Sequence, residues 1–278
     1  MSNILKTLFL LGILSVLLIT IGAFIGGREG LIMAFGFSLI LNVGAYFFSE
    51  KIALSASGAK PLVRTEHPDV YQTVEELSRR MNIPMPKLYI TPAAQANAFA
   101  TGRSPSHASV AVTEGILKVL TPTELKGVLA HELAHVKNRD ILISSIAAVL
   151  ASSISFVSNM AIFGGLNSDE DNRGTGIAGL VLALLVPIAA TMVQFAVSRS
   201  REFAADETGA KTIGSGTELA KALVAIHDST RHDPLRTNPA FSSLYISNPL
   251  GGLGSAMNNL FSTHPPVEER VRRLKSLR

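Results

Sequence analysis

The 278-residue chain has no cysteine. Disulfides are excluded and so are thiolate ligands, so any metal in this protein must be held by histidine and carboxylate. Charge is scarce as well. Asp, Glu, Lys and Arg supply 17% of the residues against 47% hydrophobic types, and mean hydropathy is positive. That balance is wrong for an ordinary soluble enzyme and points to a membrane protein with a soluble part. The net charge of +4 is modest and spread over the segments between apolar runs. It does not describe a nucleic-acid-binding surface. Internal repeats are lacking too.

Four stretches hold no charge at all: Thr7 to Gly27, Gly30 to Ser49, Ile141 to Ser168 and Gly174 to Ser198. Each is long enough for a bilayer core, which needs roughly 20 residues. The first is too long for the apolar region of a signal peptide, and a second follows after only Arg28 and Glu29. The reading is a mainly α membrane protein with four transmembrane helices in two hairpins, at about 7–27 and 30–49, then 141–163 and 177–198. The alternative for the last pair is buried core helices or a membrane-dipping hairpin. Segments 51–139 and 199–278 carry eleven basic residues each, and Lys51, Arg139, Arg199 and Arg201 flank the spans directly. The positive-inside rule puts both segments, and both termini, in the cytoplasm. The chain thus divides into a membrane hairpin (1–50), half of a soluble domain (51–139), a second membrane hairpin (140–198) and the other half (199–278).

Residues 131–135 read His-Glu-Leu-Ala-His. On a helix, positions i and i+4 share a face, so His131 and His135 can reach one zinc ion while Glu132 stands beside them as a general base. Thr121, Pro122 and Glu124 give this helix a capping-box start, and Leu125, Val128, Leu129, Leu133 and Val136 follow at helical spacing.

A catalytic zinc site needs a third protein ligand and an open position. No third histidine follows at close spacing. The candidate is Glu202, with Asp206 four residues on placed to accept a hydrogen bond from the distal nitrogen of a ligand histidine and fix its tautomer. The hairpin between His135 and Glu202 returns the chain to the same membrane face. The bland alternative makes Glu202 and Asp206 exposed charges paired with Arg199, Arg201 or Lys211.

Around these motifs the spacing predicts a helix from His67-Pro68-Asp69 through Met81, a strand over Lys87 to Thr91, and a β-hairpin formed by Asn97 to Thr101 and Ser109 to Thr113. A helical stretch is expected over 199–228 and a loop over 231–259. A basic final helix starts at Thr263-His264-Pro265-Pro266, its Arg270, Arg272, Arg273, Lys275 and Arg278 read as a solvated face.

The runs His131 to His135 with Asn138-Arg139-Asp140, Ser200-Arg201-Glu202-Phe203 with Asp206, Asn97 to Gly102, Val112 to Gly115, and His264-Pro265-Pro266 with Arg270 together resemble the HtpX family. These are bacterial inner-membrane zinc metalloproteases, gluzincins grouped with the CAAX prenyl protease. The resemblance covers nearly the whole chain. It implies a cytoplasmic α+β gluzincin-like domain with a small sheet and one Zn2+ per chain on His131, His135 and Glu202, with Glu132 catalytic. The implied activity is a zinc metalloendopeptidase that cleaves misfolded or damaged membrane proteins in quality control and stress response.

It also implies that Asn97, Ala98 and Phe99 belong to an edge strand that pairs with extended substrate; the alternative is a core hairpin with Phe99 buried. His264 is implied as a donor to the developing oxyanion, or else as a residue structuring the Pro-Pro turn. The implied partners are unfolded or membrane-protein polypeptides and the lipid bilayer, with no nucleic acid and homo-oligomerisation left open. Two rival functions stand beside this one: a narrow-specificity processing protease, and a non-proteolytic zinc-containing membrane chaperone or scaffold.

Overall fold

The computed structural model describes residues 3–146, 199–232 and 265–277. The N-terminal helix α1 (Asn3–Ala56) is interrupted at Gly26 and Gly27, whose dihedrals leave the helical region. Its two limbs lie side by side, since Asn42 Nδ2 donates to Ser15 Oγ at 2.8 Å across the turn. The second limb, Gly26–Ala56, is the one helix among the described residues long and apolar enough to cross a membrane; Leu11–Thr20 on the first limb is a shorter apolar stretch. Its Ile32, Met33, Phe35, Phe37, Leu39 and Ile40 are exposed, as side chains facing lipid would be.

The second limb does not stop at residue 49. Its 31 residues span about 46 Å at 1.5 Å per residue, more than a bilayer core of about 30 Å. The surplus turns pack on a sheet, where Ala53 and Leu54 meet Phe99 and Ala111. Glu50 accepts from Ser109 Oγ at 2.7 Å, which gives a charge at the end of an apolar run a partner. Of the two later spans, only residues 141–146 are described, and they are helical; the rest lie outside the described residues.

The sheet has the order β1-β2-β4-β3, from β1 (Lys60–Pro61), β2 (Lys87–Thr91), β3 (Ala98–Ser104) and β4 (His107–Thr113). β2 and β4 run parallel and the other pairs antiparallel. The expected strand and hairpin are therefore present, with β3 at the edge. β1 is too short and polar to have been seen from pattern. Side-chain alternation splits the sheet's faces: Ala98, Ala100, Val110 and Val112 join the main core, whereas Phe99 and Ala111 face the end of α1.

Helix α2 (Pro68–Met81) starts on a proline, buries Val70, Val74, Leu77 and Met81 along one stripe, and ends on Asn82 in the left-handed region. A short α3 (Glu114–Val119) is capped by the Thr113 side chain. Helix α4 (Pro122–Lys137) has both halves of the capping box, Thr121 to Glu124 and back. It is buried on every side, among α2, β3 and two later helices, α5 (Arg199–Ile213) and α6 (Thr217–His232). Each leucine it buries contributes about 1.5–3 kcal/mol.

The helical stretch expected over 199–228 is two helices, not one. Gly214 sits at φ +86, a conformation that strains any L side chain, and it turns the chain between them. The last helix, α7 (Val267–Ser276), packs on α5 and α6 and sinks Leu274 into the core.

Candidate metal centre and active site

Helix α4 presents His131, Glu132 and His135; α5 presents Glu202 and Asp206. The two helices approach closely at Gly209, where an added Cβ would stand 3.1 Å from the backbone nitrogen of His131. A glycine at that point lets α5 lay its carboxylates against the histidines. Glu202 and Asp206 are 4% and 3% exposed, so the alternative of solvated surface charges fails. Lys211 pairs with Glu207 instead.

Three donor atoms converge. His131 Nε2 and His135 Nε2 are 3.2 Å apart, His135 Nε2 is 3.4 Å from Glu202 Oε1, and His131 Nε2 is 3.7 Å from Glu202 Oε2. Ligands about 2.05 Å from a tetrahedral zinc lie about 3.3 Å from each other. The two shorter separations match the edge of a zinc coordination face, the Glu202 carboxylate meets each histidine with a different oxygen, and the donor set is that of a catalytic zinc.

Each of the two histidines has its own carboxylate. Asp206 Oδ1 lies 2.9 Å from His131 Nδ1, and Asp140 Oδ2 lies 3.1 Å from His135 Nδ1. Both contacts hold Nδ1 and turn Nε2 of each ring toward the cluster, as metal-ligating imidazoles require. In the sequence Asp140 stands out only as part of the Asn138-Arg139-Asp140 run, with no role attached. Its signal is local. The chain leaves α4 through Arg139 in the left-handed region (φ 60), and the Asp140 amide bonds back to the His135 carbonyl at 2.9 Å, which folds the carboxylate under the ring.

Arg270 overturns the reading of the final helix as a wholly solvated basic face. It is 0% exposed, while Arg272, Arg273 and Lys275 on the same helix are exposed. Arg270 donates a two-pronged pair to Asp206, Nε to Oδ2 at 2.9 Å and Nη2 to Oδ1 at 2.7 Å, and its Nη1 is 3.7 Å from Glu202. Helical pattern could have flagged it, because Arg270 shares one face with Val267, Val271 and Leu274.

The electrostatics follow from this packing. Burial pushes Glu132 up, and the Glu202 charge adds to it, to about 7 against opposition from His135, the Ala100 amide and Arg270. Burial likewise raises Asp206, but the Arg270 charge and the His131 bond overcome it and hold Asp206 at about 2. Burial lowers His131, and the Arg270 charge, 3.4 Å from its ring nitrogens, works in the same direction. His131 is thereby kept neutral, the form that binds a metal. Burial also lowers His135, yet Glu202, Asp140 and Glu132 outweigh it and lift His135 to about 9. Four buried carboxylates (Glu132, Asp140, Glu202, Asp206) face two buried guanidiniums, Arg201 and Arg270.

Glu132 Oε2 accepts the Ala100 amide of β3 at 2.9 Å, which fixes its carboxylate beside the sheet edge. Farther along the same strand, the Gly102 amide donates to Ser145 Oγ at 3.2 Å, and Thr101 and Ser145 hydroxyls are 2.7 Å apart. Asn97, Ala98 and Phe99 lie on the other side of Ala100, all with buried side chains, and Ala98 and Phe99 start the edge strand. His264 lies outside the described residues, as does most of the stretch expected as loop over 231–259.

Comparison with known proteins bears on these features. The model of peptidase family M48 matches residues 64–278. A "Protease HtpX homolog" of Pelotomaculum thermopropionicum is 48% identical over 99% of both chains, and one of Syntrophobacter fumaroxidans is 49% identical over the full length of both. Another, of Aquifex aeolicus, is 51% identical over 94% of this chain and 88% of its own. Among solved structures, S. mikatae Ste24p superposes over 98% of this chain with a TM-score of 0.52 at 18% identity, a likeness of fold. This chain spans 65% of that structure's length. Full-length similarity to the HtpX proteases and a matching His/His/Glu cluster agree: the chain belongs to peptidase family M48, as a membrane metallopeptidase of the HtpX type.

Proposed function

We propose that the chain is a zinc-dependent endopeptidase of the bacterial inner membrane that degrades misfolded or damaged membrane proteins. In this reading it crosses the membrane four times, with its site and both termini in the cytoplasm. The observation that carries the reading is the donor triangle of His131, His135 and Glu202 with Glu132 beside it. Zinc, when bound there, supplies the Lewis acidity that makes water a nucleophile at neutral pH and polarises a scissile carbonyl.

Glu132, held by the Ala100 amide beside the cluster, is placed to accept a proton from the water and return it to the leaving amine. Asp206 and Asp140 hold the two imidazoles in register. In this reading an extended substrate pairs with the edge strand where it begins, at Ala98 and Phe99, beside Asn97, whose own amide and carbonyl are held by Thr113. His264, six residues before Arg270 in the chain, is the proposed donor to the oxyanion. Support for a membrane-protein substrate comes from the second limb of α1, which runs from the bilayer into the sheet that carries the site.

Glu132→Gln should keep zinc while cleavage of casein or a membrane substrate falls by at least about 100-fold. Retained cleavage by the purified variant would sink the assignment of Glu132 as the base. Mapping cleavage sites on several unrelated substrates separates broad quality control from narrow processing. Chelator-insensitive, cleavage-free binding of unfolded chains would favour the chaperone reading.

A further inference from the structure

The apolar run of α1 from Gly30 to Ser49 covers about 30 Å, one bilayer core, so its hydrocarbon boundary falls where Glu50 and Lys51 begin. A cavity of about 500 Å3 opens at that level, between α1 and the turn joining β3 to β4. Val43, Tyr46 and Phe47 form its apolar wall, and Lys51, Arg103 and His107 stand at its charged side. Glu50, also at the cavity, is engaged elsewhere, by Ser109 Oγ and by Lys87 Nζ at 3.8 Å.

The two stronger cations are differently placed. Arg103 lies over the Phe47 ring at 5.3 Å and Lys51 over the Phe48 ring at 5.9 Å. Among the described residues neither has an ion-pair partner. A guanidinium and an ammonium held on aromatic faces, beside an apolar wall continuous with a membrane-length helix, complement one kind of molecule. It carries a phosphate at the headgroup level and hydrocarbon below it.

We propose that this junction binds an anionic phospholipid, its phosphodiester held by Arg103 and Lys51 and the upper part of its acyl chains lying against Val43, Tyr46 and Phe47. The site goes beyond peptide hydrolysis and rests only on α1 lying in the bilayer. It also has a consequence for the active site. Arg103 is three residues along β3 from Ala100, about 10 Å, and Ala100 holds Glu132. A lipid seated on Arg103 therefore fixes the strand whose Ala100 amide bonds Glu132 at a set height above the membrane.

The test uses the full-length protein in detergent, with native mass spectrometry against phosphatidylglycerol, phosphatidylcholine and glycerol 3-phosphate. One phosphatidylglycerol per chain should be retained in preference to phosphatidylcholine, and glycerol 3-phosphate should not displace it. The double variant Arg103→Gln with Lys51→Gln should lower retention about 30-fold, and Arg103→Lys with Lys51→Arg should restore it. Zinc content serves as the control for folding. If the double variant does not hold zinc, Lys51→Gln alone must still weaken retention about fivefold. Equal retention of phosphatidylcholine, displacement by glycerol 3-phosphate, or unchanged retention in the glutamine variants would each overturn the proposal.

Discussion

His131 and His135 are one residue type, one helical turn apart, aimed at one point, and the protein treats them in opposite ways. His131 is packed under α5 and α7, and its carboxylate partner Asp206 is shared with Arg270, so the guanidinium cancels much of the negative charge that would draw a proton to the ring. His135 lies nearer the open side of the site, with Glu202 and Asp140 close by. It gathers the uncancelled carboxylates and is lifted to about 9. One half of the site is thus built as a neutral, rigid ligand and the other as a ligand that must give up a proton. Burial and the arginine together hold His131 down, while three carboxylates outweigh burial at His135.

The comparison is broken most completely at the ligand both halves share. Glu202→Ala should abolish stoichiometric zinc in the purified protein, measured by atomic absorption; full occupancy would place the third ligand elsewhere.

Next in size is the arginine. Arg270→Met leaves Asp206 buried without its cation and should destabilise the domain by about 3–5 kcal/mol, seen as a lowered melting temperature. Adding Asp206→Leu should recover much of that stability but not zinc affinity, because His131 then loses its anchor. A double variant no more stable than Arg270→Met would argue against charge burial as the cause.

On the other half, Asp140→Ala should weaken zinc by about 10–100-fold, by competition with a chelator, with a smaller effect on melting than Arg270→Met.

The smallest effect is a proton count. In the metal-free protein His135 sits above its ordinary value, so it is protonated at pH 7 and zinc must displace that proton. Zinc affinity should therefore rise with pH toward about 9 and level off with respect to this group. Calorimetry in buffers of different ionisation enthalpy should show about one proton released on account of His135 at pH 7. Asp140→Ala, by removing one of the charges that lift His135, should reduce that number.

Much of this site is legible in the chain because its determinants are local. The i, i+4 spacing of His131 and His135, the capping box at Thr121 and Glu124, and the alternation in β3 and β4 are each set within a few residues, so pattern alone predicts them. Asp140 was in reach for the same reason, although its role depends on the left-handed Arg139 that swings it back. Arg270 was only half in reach: it shares a helical face with Val267, Val271 and Leu274, which marks it for burial, but its partner Asp206 lies 64 residues away and no local rule supplies it.

By itself, then, the sequence determined a membrane-length apolar helix, a capped helix bearing two histidines and a glutamate, a small hairpin sheet, and a carboxylate pair on a distant segment. Each follows from periodicity or short-range hydrogen bonding. Only the tertiary structure decided that α5 approaches α4 at Gly209, that α7 drives Arg270 under Asp206, and that α1 continues past its apolar run to meet Phe99. The physical reason is that burial and charge compensation are properties of several segments at once. Their energies appear only when residues more than sixty positions apart, such as Asp206 and Arg270, are brought within hydrogen-bonding distance.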